Sequence, residues 1–549
     1  METRKVVAFF LVLSMTLAAL TACAPAPAQP TTAPAQPATS APAQATTAPA
    51  QPSSAAPSIA SKVIVAIGAD PSDLSPFVGM SMGRIAVLRT TYEYLFGVTK
   101  MGGELVPFVA KGVEKTGDKT YVVTLFDNVA DSAGNKITAA DAAWSYNTGM
   151  AAGNLRPLGD IESVTATGDY TVQFVFKKVL GIGELEKLLT ECPIVSRASY
   201  EASPDQFATK PITSSPYVLK EYVPGSSLTF ERRAEYWQKD ASLSPELSRA
   251  NVQTIVFQII TEPAQHSIAL ETGSAHISAS VTGDDIARFR SAAGFSVFGF
   301  QDNLTQLLAF NGSEGHAFTK KELRQAVAYA IDTTAMCNAV APGACAATHT
   351  IGNSNFGGYQ AKWDTEPYYD YDLAKAQGLL AAAGYKPGDL TVKLLAQNDP
   401  KSGLMAQVIQ SQLKELGIKV EISQVEPTVY NQLKPDPKAY DLLIDAAAGG
   451  DFIINPWKLV YDQTRNNGKT SNFFLDNQLQ ELLDAASQLS GFTPEKLDAF
   501  QQYQKEQVYA YGMLSYFNNV VGVAGITKVV RDGRGQIIPG ACEYAPDFK

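Results

Sequence analysis

Apolar and polar positions follow three regimes along this chain. Val6 to Leu20 is almost uniformly apolar, without charge. Ala24 to Ser58 is built only from Ala, Pro, Gln, Thr and Ser. From about Lys62 the pattern is that of packed secondary structure. Val63-Ile64-Val65-Ala66-Ile67 is a β-rich run closed by the turn signal Gly68-Ala69-Asp70-Pro71. Tyr121–Leu125, Tyr170–Phe176 and Thr254–Ile260 read as further strands. Thr138-Ala139-Ala140-Asp141 and Thr319-Lys320-Lys321-Glu322 each match a capping box, so helices are expected to begin there. After the second, Leu323, Val327, Ala330 and Ile331 fall on one helical face. Leu373–Ala383 is a predicted helix stopped by Gly384. Leu404, Val408, Ile409, Leu413 and Leu416 form another, stopped by Gly417. Strands are predicted at Leu390–Leu395 and, by alternation, at Ile418–Ile422. Helix alternating with strand predicts an α/β fold on mixed sheets.

The first two regimes read as targeting and tether. Arg4 and Lys5 precede an apolar stretch of about 15 residues, shorter than the roughly 20 needed to span a bilayer. The stretch ends in Leu20-Thr21-Ala22-Cys23, which resembles a bacterial lipobox and implies cleavage after residue 22 with acylation of Cys23. A plain secretory signal or an uncleaved anchor are the alternatives. The tract behind Cys23, to residue 60, has too little apolar surface to offset its ordering entropy. Its prolines keep it extended at up to about 3.1 Å per residue.

Composition narrows the partners. The 549 residues carry a net charge of −10, which argues against a nucleic-acid ligand. Beyond Cys23 the cysteines are Cys192, Cys337, Cys345 and Cys542, an even number in a chain read as exported. Cys337 and Cys345 flank Ala341-Pro342-Gly343, so a bridge between them is expected. Cys192 and Cys542 are then either a long-range pair or buried thiols. The four histidines are scattered and no CxxC occurs, so no metal site and no cofactor are expected. Enzyme motifs are equally sparse. Arg465-Asn466-Asn467-Gly468-Lys469-Thr470 ends like a phosphate-binding loop, but Gln463 stands where its first glycine belongs. Neither GxSxG nor HExxH is present, and no carboxylate spacing singles out a glycosidase pair.

Seven blocks then coincide with one family. They are IVAIGADPSDLSPF, TYEYLFGVTKMGGELVPFVA, KTYVVTLFDNVADSAGNKITAADAAWSY, SSPYVLKEYVPGSSLTFERRAEYW, AFTKKELRQAVAYAIDTTAM, YDYDLAKAQGLLAAAGY and QVIQSQLKELGIKVEI. In this order they resemble family 5 of the extracellular solute-binding proteins, the oligopeptide, dipeptide and nickel receptors of bacterial ABC importers. Departures are Gly112-Val113 in place of a tryptophan, Ser214 in place of glycine and His276 in place of an acid. The resemblance implies a two-lobed, periplasmic-binding-protein-like α/β fold of type II, in its large three-domain form. Lobe I would comprise 61–92, 190–285 and 500–549, with a small inserted domain at 93–189 and lobe II at 286–499. It also implies a monomeric, non-catalytic receptor, lipid-anchored on the outer side of the cell membrane. Such a receptor would hand a peptide or similar solute to a permease and its ATPase. An oligosaccharide receptor, a surface-tethered hydrolase and a sensory or adhesive lipoprotein are the competing readings.

In peptide-binding members an aspartate ahead of a proline pairs with the ligand's α-amino group. Asp451 corresponds to it, with a one-residue difference in the distance to the proline and with Phe452 to Ile454 departing from that pattern, in Gly449-Gly450-Asp451-Phe452-Ile453-Ile454-Asn455-Pro456-Trp457. A carboxylate in a closed cleft favours a cationic or donor-rich ligand, although aspartate after Gly-Gly equally serves as a turn residue. Gly450 and Phe452 belong to the same segment, and Trp457 is the aromatic candidate for stacking. Trp144 and Trp237 lie in family blocks and read as core. Asp70 and Pro71, after the first strand, correspond to a cleft-lining loop, with a turn role as the alternative. Asn303 is a further candidate at the start of the second lobe.

If Cys23 carries the lipid, Cys23→Ser yields an unlipidated precursor or a soluble product. Detergent-phase partitioning reads the difference, and a variant that partitions like the wild type refutes acylation at this residue.

Overall fold

The computed structural model describes residues 59–548, apart from 101, 241 and 465–471. The stretches expected to be targeting signal and tether, up to residue 58 and including Cys23, therefore lie outside the described residues, as does the segment resembling a phosphate-binding loop.

The main sheet has eleven strands, and its centre is a pair of long antiparallel strands, Phe295–Phe310 and Ala510–Val523. Leu442–Ala448, Thr391–Gln397 and Lys419–Val425 extend the sheet beyond Phe295–Phe310. On the other side, Ile277–Ser278, Ala60–Ile67, Val252–Ile259, Ser227–Arg232 and Tyr217–Val223 follow Ala510–Val523. Cys345–Ala347 pairs with Ala510–Val523 off this path.

The two-residue period of a strand explains the continuous apolar runs here. Leu308, Phe310, Leu394, Leu442 and Ile444 belong to one core. Their neighbours Leu307, Ala309, Leu395 and Leu443 belong to a second, on the opposite face. A sheet covered on both faces needs apolar residues at successive positions. Helices Lys321–Ala330, Leu373–Ala382 and Pro400–Glu415 bury Leu323, Val327, Leu380, Ile409 and Leu413 in the first core. Gly384 and Gly417 follow the last two helices with φ of +85° and +84°, the left-handed geometry expected of their stop signals. A separate four-stranded antiparallel sheet has the order Ala110–Gly117, Thr120–Leu125, Thr171–Phe176, Ile161–Ala166. Helix Ala139–Ala152 packs on it, and the Asp141 carboxylate accepts from the Thr138 backbone N–H at 2.9 Å.

The second expected capping box does not form. Residues 317–319 make a 3₁₀ turn, the Thr319 hydroxyl donates back to the His316 carbonyl at 2.9 Å, and Lys320 becomes the N-cap. Cys337 and Cys345 are joined by a disulfide with a Cα–Cα distance of 5.7 Å. The long-range pair Cys192–Cys542 is not formed. Both are buried thiols, Cys192 in the core of the four-stranded sheet and Cys542 in the core beside Val63 and Phe257, so separate packing units keep them apart. No helix among the described residues is long and apolar enough to cross a membrane.

A bridge closing so short a loop is worth about 2–3 kcal/mol by the loop-closure relation. The paired change Cys337→Ser, Cys345→Ser is expected to lower unfolding free energy by that amount in denaturant titrations, without altering the fold seen by circular dichroism.

Candidate functional site

The register of the two central strands slips between Gln301 and Thr305. Asp302 and Asn303 fall in this gap, and both line a cavity of about 220 Å³. A second cavity of about 250 Å³ is walled by Lys187, Glu191, Asp451 and Phe452, and a third of about 580 Å³ lies at the ends of strands Ala60–Ile67 and Val252–Ile259. Residues of Arg531–Ile537 line all three cavities.

That segment, Arg531-Asp532-Gly533-Arg534-Gly535-Gln536-Ile537, is a tight turn. Its ends bridge through Arg531 and Ile537, and the Asp532 carboxylate accepts from the Arg534 and Gln536 N–H groups at 3.0 and 2.8 Å. The other Asp532 oxygen meets Arg89 Nε at 3.0 Å, where both side chains are nearly buried. The Gly533 N–H donates to the Val98 carbonyl at 2.7 Å. The turn is thus tied to the body of the molecule by its own aspartate, which leaves its arginines to the cavities. Arg534 pairs with the buried Glu191 carboxylate. Burial works against the Arg534 charge, and Glu191 beside it more than offsets this, so its pKa is raised. The Arg531 guanidinium lies over the Phe300 ring, 4.5 Å from its centroid.

Asp451 follows strand Leu442–Ala448 through Gly449 and Gly450, both with positive φ. The turn is closed by Asn455, whose side-chain oxygen accepts from the Phe452 N–H at 2.9 Å. The Asp451 carbonyl accepts from the Gly357 N–H at 2.9 Å, and the Gly357 carbonyl accepts from the Ile453 N–H at 3.0 Å. With its backbone pinned in this way, the carboxylate has no hydrogen-bond or ion-pair partner among the described residues and faces the cavity. Burial pushes its pKa up, the charges of Lys187 and Arg534 pull it down, and Glu191 adds to the rise; the net shift is upward. Phe452 borders the cavity while its ring packs into a core, 5.3 Å from the Phe492 ring and directly over Gly183, where no Cβ would fit.

The expected stacking role of Trp457 is corrected. Its ring is fully buried, donates to the Thr350 hydroxyl at 3.2 Å and packs 4.6 Å from Phe500, so no face is left for a solute. Asp70 also departs from its expected place. Its carboxylate accepts from the Tyr222 hydroxyl, the Gly225 N–H and, at 2.6 Å, the Ser72 N–H. Burial raises its pKa but these bonds outweigh it, and the net shift is downward. Asp70 closes a turn and fastens a neighbouring hairpin, and the adjacent Pro71 is buried. Neither residue lines any of the three cavities. His276 replaces the family's acid in a structural position: its Nδ1 accepts from the Ile64 N–H at 3.3 Å. The cavity residues not singled out from sequence are Lys187, Glu191, Asp302 and the Arg531–Ile537 turn. The available signal for the last was Asp-Gly followed by Arg-Gly, a turn carrying exposed charge.

The cavities offer charge and hydrogen bonding. One carries Glu186, Glu191 and Asp451 against Lys187 and Arg534, an acidic balance. Its neighbour carries Lys100, Arg531 and Arg534 against Asp302 and Asp532, a basic one. No cluster of metal-ligating side chains occurs among the described residues.

The model of the bacterial extracellular solute-binding proteins, family 5, matches residues 104–471. Among curated proteins, the chain is 23% identical over 364 residues to di/tripeptide-binding protein 3 of Pseudomonas aeruginosa, covering 64% of this chain and 65% of that one. It is 25% identical over 377 residues to the glutathione-binding protein of Salmonella typhi, covering 67% and 70%. The chain thus spans somewhat less than two thirds of the length of the first of these. Among solved structures, the periplasmic murein tripeptide-binding protein MppA in its unliganded open form superposes with a TM-score of 0.75 at 19% identity, covering 89% of this chain and 99% of that one.

Burial raises the Asp302 pKa to about 6, against the Leu304 N–H bond and the Lys401 charge that lower it. A carboxylate raised in the fold contributes stability that is present below the unfolded value near 4 and lost as pH climbs through about 6. Relative to Asp302→Asn, the wild type is therefore expected to lose stability between pH 4 and 6 and to run parallel above 7. Denaturant titrations across this range measure it, and a constant difference refutes the shift.

Proposed function

The chain belongs to family 5 of the bacterial extracellular solute-binding proteins, and on that premise we propose that it is the receptor of an ABC importer for short peptides or similar donor-bearing solutes. The observation that carries the reading is the Asp451 carboxylate, unpaired among the described residues on the wall of a half-buried acidic cavity. A charge removed from water is stable only when paired, and a solute ammonium group is the partner of matching chemistry. The basic cavity, which shares Gly533 and Arg534 with it, suits the opposite charge of a zwitterion. The printed names of the relatives, di/tripeptide- and glutathione-binding, agree with this class.

Two lobes then follow the halves of the main sheet, 61–92, 190–285 and 500–549 against 286–499, with 93–189 as the inserted domain. The slipped register at Asp302 supplies compliance where the long strands cross from one half to the other. Lipid at Cys23 and the tether hold the receptor outside the membrane, and a permease with its ATPase takes the solute unchanged. The oligosaccharide reading loses its aromatic platform with the burial of Trp457.

Truncating one partner of a buried charge pair costs about 2–5 kcal/mol, or roughly 30-fold to several thousand-fold in Kd. Asp451→Asn is expected to weaken a bound peptide by that factor in calorimetry while remaining folded, and N-acetylation of the peptide should weaken wild-type binding similarly. Unchanged affinity in Asp451→Asn removes the residue from the site. Failure of a di- and tripeptide library to bind the wild type overturns the peptide reading.

A further inference from the structure

Arg531 stands between two chambers of different chemistry. On one side is the basic cavity with Asp302, Lys100 and Arg534. On the other is the largest of the three cavities, about 580 Å³, and among the described residues Arg531 is the sole charged one in its lining. Val65 and Ile67 at the end of strand Ala60–Ile67, Phe257 on the parallel neighbour, Ala86 on helix Met82–Thr91 and Ile537 on the turn supply apolar wall. Met82 lines it as well, with 80% of its surface exposed. Arg531 Nε is engaged by the Gly535 carbonyl at 2.6 Å, while its terminal nitrogens make no hydrogen bond or ion pair among the described residues. The chamber adjoins the charged part of the cleft, and Arg531, Gly535 and Asn518 line both.

We propose that this chamber is a specificity pocket for a bulky apolar group, aromatic or branched aliphatic, carried next to an anionic group on the captured solute. The inference rests on reading the cleft as a solute site. The anionic group pairs with the free end of the Arg531 guanidinium, and the apolar body displaces water from the wall beyond it. The volume lies within the range of about 300–1,000 Å³ typical of small-molecule pockets, so a methyl-sized substituent would leave the apolar wall wet. Met82 is a flexible thioether at the border of the pocket, able to adapt to groups of different shape.

Calorimetry on the full chain with propionate, 3-phenylpropionate and indole-3-propionate tests the pocket without requiring a peptide. Gly-Gly-Ala against Gly-Gly-Trp tests it within one. The aryl acids and the Trp peptide are expected to bind about 10- to 100-fold tighter than their small counterparts. Ala86→Trp, which fills the chamber, is expected to erase that ratio. Met82→Glu places a charge at an exposed position in the chamber's lining, outside the core, and should reduce the ratio several-fold. Peptides that bind equally whatever their apolar group would overturn the pocket and leave the peptide reading standing. Aryl acids that bind while no peptide does would support the pocket and overturn the peptide reading. Absence of binding by both aryl acids and peptides would overturn the pocket.

Discussion

The pairing of Phe295–Phe310 with Ala510–Val523 is the constraint on which the rest depends. Strands of 16 and 14 residues are long enough to serve two packing units at once. Beyond the slip at Gln301–Thr305, the first strand pairs with Leu442–Ala448 and its alternate side chains enter the two cores there. Before the slip, Phe298 and Phe300 pack against the core of the other half. An unbroken ladder would hold these residues in a continuous sheet. The ladder is interrupted at the slip and again between Gln306 and Leu307, and at the first break Asp302 and Asn303 line a cavity. A local irregularity of backbone pairing thus sets where the cleft can be.

Around that point the fold spends its internal hydrogen bonds on main chain and leaves side chains over. Asp532 ties down the C-terminal turn, Asn455 and Gly357 tie down the Gly450-Asp451 turn, and Asp70 fastens the hairpin near Gly225. Each is a short polar side chain or a backbone group that satisfies neighbouring N–H donors. Asp451 holds its position through its backbone alone, and Arg531 is held by its Nε on the Gly535 carbonyl, which leaves its terminal nitrogens over. Asp70 and Asp451 are the same residue type in similar turns, with opposite outcomes. One carboxylate is consumed by three donors and its pKa falls, while the other meets none and its pKa rises.

That contrast explains what was legible in the sequence. Helix stops at Gly384 and Gly417, the alternation at Ile418–Ile422 and the apolar runs were readable because local geometry and burial period fix them. The capping box at Thr319 failed because a preceding 3₁₀ turn, invisible to the four-residue pattern, claimed the threonine hydroxyl. Trp457 looked available because its neighbours in sequence are those of a cleft segment. Its burial depends on Phe500 and Thr350, far along the chain. The Arg531–Ile537 turn has a local signal, but its place beside Asp302 and Asp451 is a product of sheet order.

The same electrostatics bear on capture and release under the proposed function. Asp302 and Asp451 are both held above the ordinary carboxylate range by burial. A raised carboxylate pKa means that the surroundings supply too little positive charge or too few donors to compensate for lost water. A solute bringing an ammonium group into the cleft supplies that charge, so solute binding and deprotonation of these acids are favourable together. By linkage the reverse also holds: protonating the acids weakens the solute. The Glu191 carboxylate is already paired with Arg534 within the fold. Of the acids lining these cavities, Glu191 and Asp532 are paired within the fold by Arg534 and Arg89, while Asp302 and Asp451 have no ion-pair partner among the described residues. A site with every charge paired internally would be more stable when empty and would have less affinity to offer. An incomplete set of pairs gives the empty receptor a reason to close on a cationic guest.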